Sequence, residues 1–206
     1  MGVFQRPASV PKCRPWLFRT TFLAARVLLC PFFDIRTEGF SRLPEHGPFF
    51  LFPKHQRWED IPLLSMAVKR PLYYVAKQEL FQKPLSRWFI SSLGGLALNR
   101  DRPMKSRGSI RALWALLARG EGIVIFPEGT YYPGRMGPGR SGLTRMIRAR
   151  TAVPCIPVGI RYMTGRCRRT VRIIFGEPIF AEDGESGEAF FDRIMTEIAI
   201  LSGLAS

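Results

Sequence analysis

Apolar and polar stretches alternate along the chain, and this alternation predicts strands that are followed by helices. Short apolar runs bounded by proline, glycine or polar residues are typical of buried strands, whereas longer stretches with apolar residues three or four apart are typical of helices. The predicted strands are residues 48–53, 72–76, 94–98, 122–126, 153–160 and 170–175. The predicted helices are residues 60–70, 78–93 with a break or kink at Pro84, 103–119, 141–150 and 185–204. Such alternation predicts an α/β fold with a mainly parallel central sheet flanked by helices.

The N-terminal stretch WLFRTTFLAARVLLCPFF, residues 16–33, has the pattern of an amphipathic helix. Arg19 and Arg26 are seven residues apart, which places them on one helical face, with aromatic and aliphatic residues around them. This pattern predicts a helix that lies in a membrane interface, and a helix packed on its own domain remains the alternative. We therefore divide the chain into a membrane-associating segment, residues 1–33, and a second domain, residues 34–206.

A membrane-spanning helix and a secretory signal peptide both fit the N-terminal stretch less well. No run of about 18 uncharged apolar residues occurs, so a membrane-spanning helix is not predicted. A signal peptide is disfavoured because arginines interrupt the apolar region and Cys30-Pro31-Phe32-Phe33 is a poor cleavage site. The four cysteines lack paired spacing, which is typical of thiols facing a reducing compartment. We expect a peripheral or monotopic protein on the cytoplasmic face of a membrane.

The charge distribution implies an anionic partner. The formal net charge is +15, and residues 100–172 carry 16 basic and 3 acidic side chains. Nucleic acid, anionic lipid headgroups, a phosphorylated ligand and an acidic protein all fit this charge. The chain has no phosphate-binding P-loop, no cysteine and histidine spacing typical of zinc, and no nucleic-acid signature; the basic stretch 161–172 contains one aromatic residue. We expect neither a bound metal nor a nucleic-acid partner.

Residues 54–60, KHQRWED, follow a predicted strand and contain one of the two histidines of the chain. On one continuous helix, residues five apart point about 140° away from each other, so His55 and Asp60 could not meet. They can meet if His55 lies in the turn before the helix and Asp60 reaches back from its first turn. Asp60 would then orient the imidazole as a general base. Glu59 is a second acidic neighbour, and the spacing alone does not choose between the two.

Two further polar stretches follow predicted strands. Arg100 ends the stretch GGLALNR, and arginine can bind phosphate or carboxylate in a bidentate fork. Glu128 lies in FPEGT after a buried strand, where Gly129 permits close backbone approach. Taken alone, the first is also compatible with a solvated arginine and the second with an ordinary turn. The carboxyl ends of parallel strands nevertheless bring such residues to one edge of a sheet.

Together and in this order, these stretches resemble the motif pattern of the glycerolipid acyltransferases. The motifs are His55-x4-Asp60, Gly95-Leu-Ala-Leu-Asn-Arg100, Phe126-Pro-Glu-Gly-Thr130 and Val153-Pro-Cys-Ile-Pro-Val158. Lys77-Gln-Glu-Leu80 also matches that family's pattern. The resemblance covers roughly residues 35 to 180 and is strongest to the lysophosphatidic acid acyltransferases of the PlsC type.

The resemblance implies transfer of a fatty acyl group from acyl-CoA or acyl carrier protein, used as a co-substrate without a cofactor, to a lysophospholipid hydroxyl. The expected acceptor is 1-acylglycerol-3-phosphate, which would give phosphatidate, and membrane lipids are expected partners. His55 would be the base and Asp60 its orienting partner. The remaining expected site residues bind or shape the acceptor: Arg100, Glu128, Gly129 and Thr130, with Lys77 and Arg140 as further phosphate contacts.

The chain departs from the family's usual residues at three places. Lys54 stands where asparagine commonly precedes the histidine, and Arg57 stands where serine is common. These cations are hypothesised either to keep His55 neutral or to bind the acceptor phosphate. Tyr131-Tyr132 replaces the usual Arg-Ser, which removes a positive charge and leaves another acceptor, such as a lyso-aminolipid or a different lysophospholipid, as the alternative. A basic membrane- or nucleic-acid-binding module without catalysis is the alternative of another class.

Overall fold

The computed structural model describes residues 14–68, 70–98, 106–142, 147, 153–165 and 167–205. Its strands form a seven-stranded sheet in the order β1-β7-β6-β2-β5-β3-β4. Strands β2 to β6 run parallel to one another, whereas β7 is antiparallel to β6 and carries β1 parallel to itself at the edge. The predicted α/β fold with a mainly parallel sheet is confirmed. The strands are β1 Phe33–Glu38, β2 Phe49–Pro53, β3 Leu72–Lys77, β4 Gly95–Leu98, β5 Gly122–Val124, β6 Cys155–Met163 and β7 Arg169–Phe175.

Helices cover both faces of the sheet. The helices of the described residues are α1 Pro15–Leu29, α2 Asp60–Ala67, α3 Pro84–Ser92, α4 Arg107–Ala118 and α5 Gly187–Ser202, with 3₁₀ turns at Phe40–Arg42 and Gln78–Phe81. α1 and α2 pack on one face, and α4 and α5 pack on the other. Side chains of β2 alternate between the two cores: Phe49 and Leu51 lie with α1 and α2, and Phe50 and Phe52 lie with α4 and α5. This alternation makes β2 the buried centre of the fold.

Most element positions agree with the sequence pattern, and the differences have physical causes. The expected break at Pro84 is present, because a 3₁₀ turn ends at Phe81 and α3 begins at Pro84. The helix predicted for residues 60–70 ends at Ala67, because Val68 is extended and Arg70 instead bonds the carbonyls of Gly47 and Gly120. The helix predicted for residues 141–150 lies mostly outside the described residues.

Strand β1 was not predicted. Its sequence FDIRTE mixes charged and apolar residues, and most of it is half-buried or exposed at the sheet edge. Edge strands commonly carry such charged side chains, which weakens the apolar signal used to predict them. Phe33, the last residue of the proposed N-terminal segment, is the first residue of β1.

α1 has an amphipathic sequence, and of its side chains only Leu29 is buried. Trp16, Leu23, Val27 and Leu28 are each more than half exposed. Internal packing therefore accounts for Leu29 and the half-buried side chains of α1, but not for these four exposed apolar residues. In the part of the chain that the structure describes, no helix has the length and apolarity needed to cross a membrane.

Candidate active site

His55 and Asp60 meet at the carboxyl edge of the sheet. β2 ends at Pro53, His55 lies in the following irregular segment, and Asp60 is the first residue of α2. His55 Nδ1 lies 3.1 Å from Asp60 Oδ2. The sequence left Glu59 open as the partner by spacing alone, and the geometry selects Asp60. The strand-turn-helix arrangement thus allows a contact that a continuous helix would prevent.

The Asp60 carboxylate is fully buried and is held by donors from two directions. Oδ2 accepts hydrogen bonds from the backbone N–H groups of Gln56 at 2.6 Å and Arg57 at 2.8 Å. Oδ1 accepts one from the Tyr162 hydroxyl at 2.6 Å. These three donors hold the carboxylate in one position. The buried Asp60 carboxylate can therefore serve as a fixed acceptor for the histidine.

The contact with Asp60 determines which nitrogen of His55 can act as a base. An ionised carboxylate only accepts hydrogen bonds, so Nδ1 must carry the proton in the Asp60 contact. Nε2 then holds the free lone pair, and it has no hydrogen-bond partner among the residues that the structure describes. The neutral histidine is thus oriented to take a proton at Nε2 while Asp60 stabilises the resulting imidazolium.

Aromatic rings enclose the imidazole. The Phe126 ring stacks on His55 with centroids 3.8 Å apart, and the Tyr131 ring meets it edge-on at 4.4 Å. His55 keeps 7% of its surface exposed, whereas Tyr131 is 47% exposed. Phe126 therefore fixes the ring from below the surface, and Tyr131 forms a solvent-facing wall beside it.

Lys54 and Glu128 form a fully buried ion pair behind the histidine. Lys54 Nζ lies 2.8 Å from both carboxylate oxygens of Glu128, and it also donates to the carbonyls of His55 and Tyr132. Glu128 accepts from the backbone N–H groups of His55 at 2.9 Å and Gly137 at 2.6 Å. Burial lowers the pKa of Lys54, although attraction to Glu128 opposes this effect. The pair joins the histidine turn to the loop after β5.

This ion pair changes the interpretation of both residues. Lys54 does not face an acceptor phosphate, as one hypothesis held, because its ammonium is buried and bound to Glu128. Glu128 was expected to shape the acceptor pocket, and its buried carboxylate contacts the ends of two loops. Its effect on a substrate would therefore be exerted through the position of those loops.

The other predicted site residues lie around this centre, with one outside the described part. Gly129 has a φ of 70°, a conformation that favours glycine, in the turn where its N–H bonds the Phe126 carbonyl. Thr130 follows it and is half-buried. Lys77 ends β3 at the same sheet edge and is exposed, as is Arg140, whose backbone N–H bonds the Pro127 carbonyl. Arg100 lies outside the described residues.

An open groove borders the segment between His55 and Asp60. It has a volume of about 700 Å³ and is lined by the end of α1, by the start of α2 and by the turn between β6 and β7. Leu28, Phe32 and Trp58 supply exposed apolar side chains, and Arg168 and Arg169 supply positive charge. An apolar groove with basic residues suits an anionic amphiphile.

Tyr162 is a site residue that sequence reasoning missed. It lies 102 positions after Asp60 in the chain, in the antiparallel pair of β6 with β7. Burial, and then the negative charge of Asp60, raise the pKa of Tyr162, so its hydroxyl stays protonated as a donor. The Arg57 guanidinium lies over the Tyr162 ring, 5.2 Å from its centroid. The nearest signal in the sequence was the stretch RYM, residues 161–163, which directly follows the predicted strand at 153–160.

Cys155 is not a competing nucleophile in the described part of the site. Cys155 is buried in β6, and burial raises the pKa of its thiol to about 12. A thiol with such a pKa carries little thiolate near neutral pH.

A family model described as acyltransferase matches residues 34–161, which is more than half of the chain. The chain belongs to the acyltransferase family. The matched range contains the His55 and Asp60 pair, the FPEGT stretch and most of β6. The resemblance of the ordered motifs to this family is thereby confirmed.

Individual members of the family are similar over much of the chain. A chloroplastic 1-acyl-sn-glycerol-3-phosphate acyltransferase of Brassica napus is 28% identical over 196 residues, which are 89% of this chain and 55% of that protein. A lyso-ornithine lipid O-acyltransferase of Pseudomonas aeruginosa is 31% identical over 143 residues, which are 69% of this chain and 53% of that protein. The chain spans about half the length of these two curated relatives.

A solved acyltransferase has the same fold. The crystal structure of PlsC, the 1-acyl-sn-glycerophosphate acyltransferase of Thermotoga maritima, matches with a TM-score of 0.63 and 25% identity. The match covers 92% of this chain and 81% of that chain. The α/β architecture of this acyltransferase-family chain is therefore shared with a known member.

Proposed function

We propose that this chain is a membrane-associated O-acyltransferase that acylates the hydroxyl of a lysophospholipid. The observation that carries the proposal is the 3.1 Å contact between His55 Nδ1 and Asp60 Oδ2, which leaves Nε2 as a base. Acyl-CoA or acyl carrier protein supplies the acyl group as a thioester. The preferred acceptor is 1-acylglycerol-3-phosphate, and the product is then phosphatidate.

The proposed reaction is a direct transfer between two substrates. Nε2 of His55 takes the proton of the acceptor hydroxyl as the oxygen attacks the thioester carbonyl. The carbon–sulfur bond breaks, an ester forms, and the thiolate leaves with the proton that His55 returns. Asp60 holds the imidazolium that exists between these two proton transfers. No acyl-enzyme intermediate forms in this scheme.

A different lysolipid acceptor is the second candidate, and Tyr131 favours it. This uncharged side chain lies against His55 at a position where the family usually has arginine. Arg57 and Arg135 are the nearby cations, and each lies over a tyrosine ring, Tyr162 and Tyr132 respectively. Arginine can stack on an aromatic ring and still donate to phosphate, so both acceptors are compatible with these contacts. The similarity to a lyso-ornithine lipid acyltransferase also supports this candidate.

A lipid acceptor requires access from a membrane, and two features support such access. α1 exposes Trp16, Leu23 and Val27, which can enter the interface of one leaflet. The groove beside Trp58 continues this apolar surface toward the segment between His55 and Asp60. We propose that the protein lies on the cytoplasmic face of the membrane.

A panel of acceptors tests the proposed function. We expect purified protein in detergent micelles to convert lysophosphatidate to phosphatidate with labelled acyl-CoA or acyl carrier protein. The panel should also contain lyso-ornithine lipid and lysophosphatidylethanolamine, at matched micelle concentrations. Transfer to an aminolipid without transfer to lysophosphatidate would select the second candidate. No transfer to any acceptor, together with salt-sensitive binding of nucleic acid, would support a non-catalytic basic module.

Replacing Tyr162 by phenylalanine tests whether this residue positions Asp60. The variant removes one donor from Asp60 and retains the ring under Arg57. We expect kcat to fall by roughly tenfold with little change in the acceptor KM. Without this donor, the Asp60 carboxylate is held less firmly and orients His55 less precisely. A fall in kcat without a change in KM is the result expected of a residue that positions the base and does not bind the acceptor.

Tyr74→Phe is the matched control for this substitution. The Tyr74 hydroxyl bonds Ser65 Oγ at 2.6 Å and donates to the Ile61 carbonyl at 3.2 Å, and it makes no hydrogen bond to His55 or Asp60. This variant should lose some stability while its kcat stays at the wild-type value. If Tyr162→Phe keeps the wild-type kcat as well, Tyr162 has only a structural function.

A further inference from the structure

α3 carries its apolar residues on the outside of the protein. Leu85, Trp88 and Phe89 are three or four positions apart, so they share one helical face. They are 77%, 42% and 41% exposed, respectively. An amphipathic helix of a water-soluble fold normally turns such a face toward the core, yet the buried residue of α3 is Ser92. The apolar face of α3 is therefore directed away from the domain.

Positive charge accompanies this face. Lys83 and Arg87 are exposed on or beside α3, and Lys77 is exposed just before it. Between residues 77 and 92 the sequence has one acidic residue, Glu79. Long basic side chains next to aromatic and aliphatic ones can reach lipid phosphates while the apolar groups enter the acyl boundary.

The apolar face of α3 continues into that of α1. The backbone N–H of Arg14, which precedes α1, donates to the Ser92 carbonyl at 3.0 Å. The Arg14 guanidinium also lies over the Trp88 ring, 5.8 Å from its centroid. The exposed Trp16 follows two residues later. The end of α3 and the start of α1 are thus joined, and a single bilayer surface can contact both.

We propose that α3 is a second membrane-inserting element, which binds an anionic bilayer through Leu85, Trp88 and Phe89. Arg14, Lys83 and Arg87 contact the lipid phosphates at the edge of this face. The proposal extends the membrane association proposed above for α1. It does not depend on the acyl transfer reaction or on the identity of the acceptor.

Two features favour a bilayer over a protein partner as the occupant. The face combines a tryptophan, a phenylalanine and a leucine with flanking cations, which is the composition of interfacial membrane helices. It also adjoins α1, which likewise exposes a tryptophan and aliphatic residues and carries arginines. A bilayer covers both helices at once, whereas a protein partner would need a surface shaped for each.

Co-sedimentation of the full chain with vesicles tests this proposal. The vesicles contain phosphatidylcholine alone or phosphatidylcholine with phosphatidylglycerol. We expect Leu85→Gln/Phe89→Gln to lower the partition coefficient on anionic vesicles by about tenfold, because two large apolar groups no longer enter the lipid. Leu23→Gln/Val27→Gln in α1 should have a similar effect, and combining the pairs should multiply the two losses. Neutral vesicles should bind the wild type more weakly.

Ile200→Gln is the matched control, because Ile200 is 48% exposed on α5, on the face of the sheet opposite α1. This variant should bind vesicles like the wild type. Thermal unfolding should show that all variants are folded. The proposal would be overturned if Leu85→Gln/Phe89→Gln did not weaken vesicle binding, either in the wild-type chain or in the chain that already carries Leu23→Gln/Val27→Gln. Loss of a dimer on gel filtration in the same variant would overturn it too, since the face would then join two copies.

Acyl transfer in detergent micelles separates this proposal from the proposed function. The α3 variant should keep wild-type transfer in micelles, because Leu85 and Phe89 do not contact the His55 and Asp60 pair. Loss of vesicle binding with retained transfer supports both proposals. A wild type that binds vesicles through α3 but transfers no acyl group would refute only the proposed function.

Discussion

Replacing His55 by alanine is expected to lower kcat by about 10²- to 10⁴-fold, the usual contribution of a general base. Nε2 is the atom that would take the acceptor proton, and alanine offers no replacement. The acceptor KM should change little, because the cations that would hold an acceptor phosphate are on other residues. The measurement is steady-state transfer from acyl-CoA or acyl carrier protein in detergent micelles, with the acceptor that the panel selects.

The second histidine of the chain provides a matched control. His46 is exposed in the loop before β2, so His46→Ala should transfer acyl groups at the wild-type rate. His55 also packs against Phe126 and Tyr131, and its loss could disturb them. His55→Gln keeps a polar side chain there and should be as inactive as the alanine variant. Wild-type turnover in either folded His55 variant would refute the base mechanism.

The contact between His55 and Asp60 could be predicted because its determinants are local. A buried strand, a short turn and a helix start bring His55 and Asp60 together within six residues. The neighbouring motif could be placed at the same sheet edge because β5 is an apolar run, parallel to β2. The parallel direction of the strands and the positions of their ends were therefore sufficient to predict which residues form the centre of the site.

The contacts that hold His55 and Asp60 in place could not be predicted, because they join distant parts of the chain. Lys54 and Glu128 are 74 residues apart, and their contact depends on the path of the loop after β5. The Tyr162 contact with Asp60 depends on the length of β6, which extends three residues beyond the predicted strand. From the sequence, Lys54 was hypothesised either to keep His55 neutral or to bind the acceptor phosphate. In the structure its ammonium is completely buried and pairs with Glu128.

Strand β1 shows a different limit of sequence reasoning. Its charged side chains are half-buried or exposed to solvent, as is common on an edge strand. The apolar pattern of β1 was therefore too weak to predict a strand. Its position also depends on β7, with which it pairs in register from Phe33 to Glu38. β1 thus joins the sheet through a parallel partner far along the chain, and no local pattern encodes such a long-range contact.

Glu128→Ala is expected to destabilise the fold by about 3–5 kcal/mol, because it leaves the Lys54 ammonium buried without its counter-ion. The same change removes the acceptor for the His55 and Gly137 N–H groups, so the histidine turn should shift. A shift of about 1 Å would lower kcat roughly 10²-fold even in molecules that remain folded. Denaturant unfolding measures the first effect, and transfer at low temperature measures the second.

A double-mutant cycle distinguishes a coupled pair from two independent contacts. Lys54→Met leaves the Glu128 carboxylate without its cation and should also destabilise the fold. Lys54→Met/Glu128→Gln buries no charge, and the introduced amide can still accept one backbone hydrogen bond. The double variant should therefore lose less free energy of unfolding than the two single variants lose together. The difference, the coupling free energy, should be about 1–3 kcal/mol. Additive losses would mean that Lys54 and Glu128 act independently, and the two loops would then be joined by the backbone contacts alone.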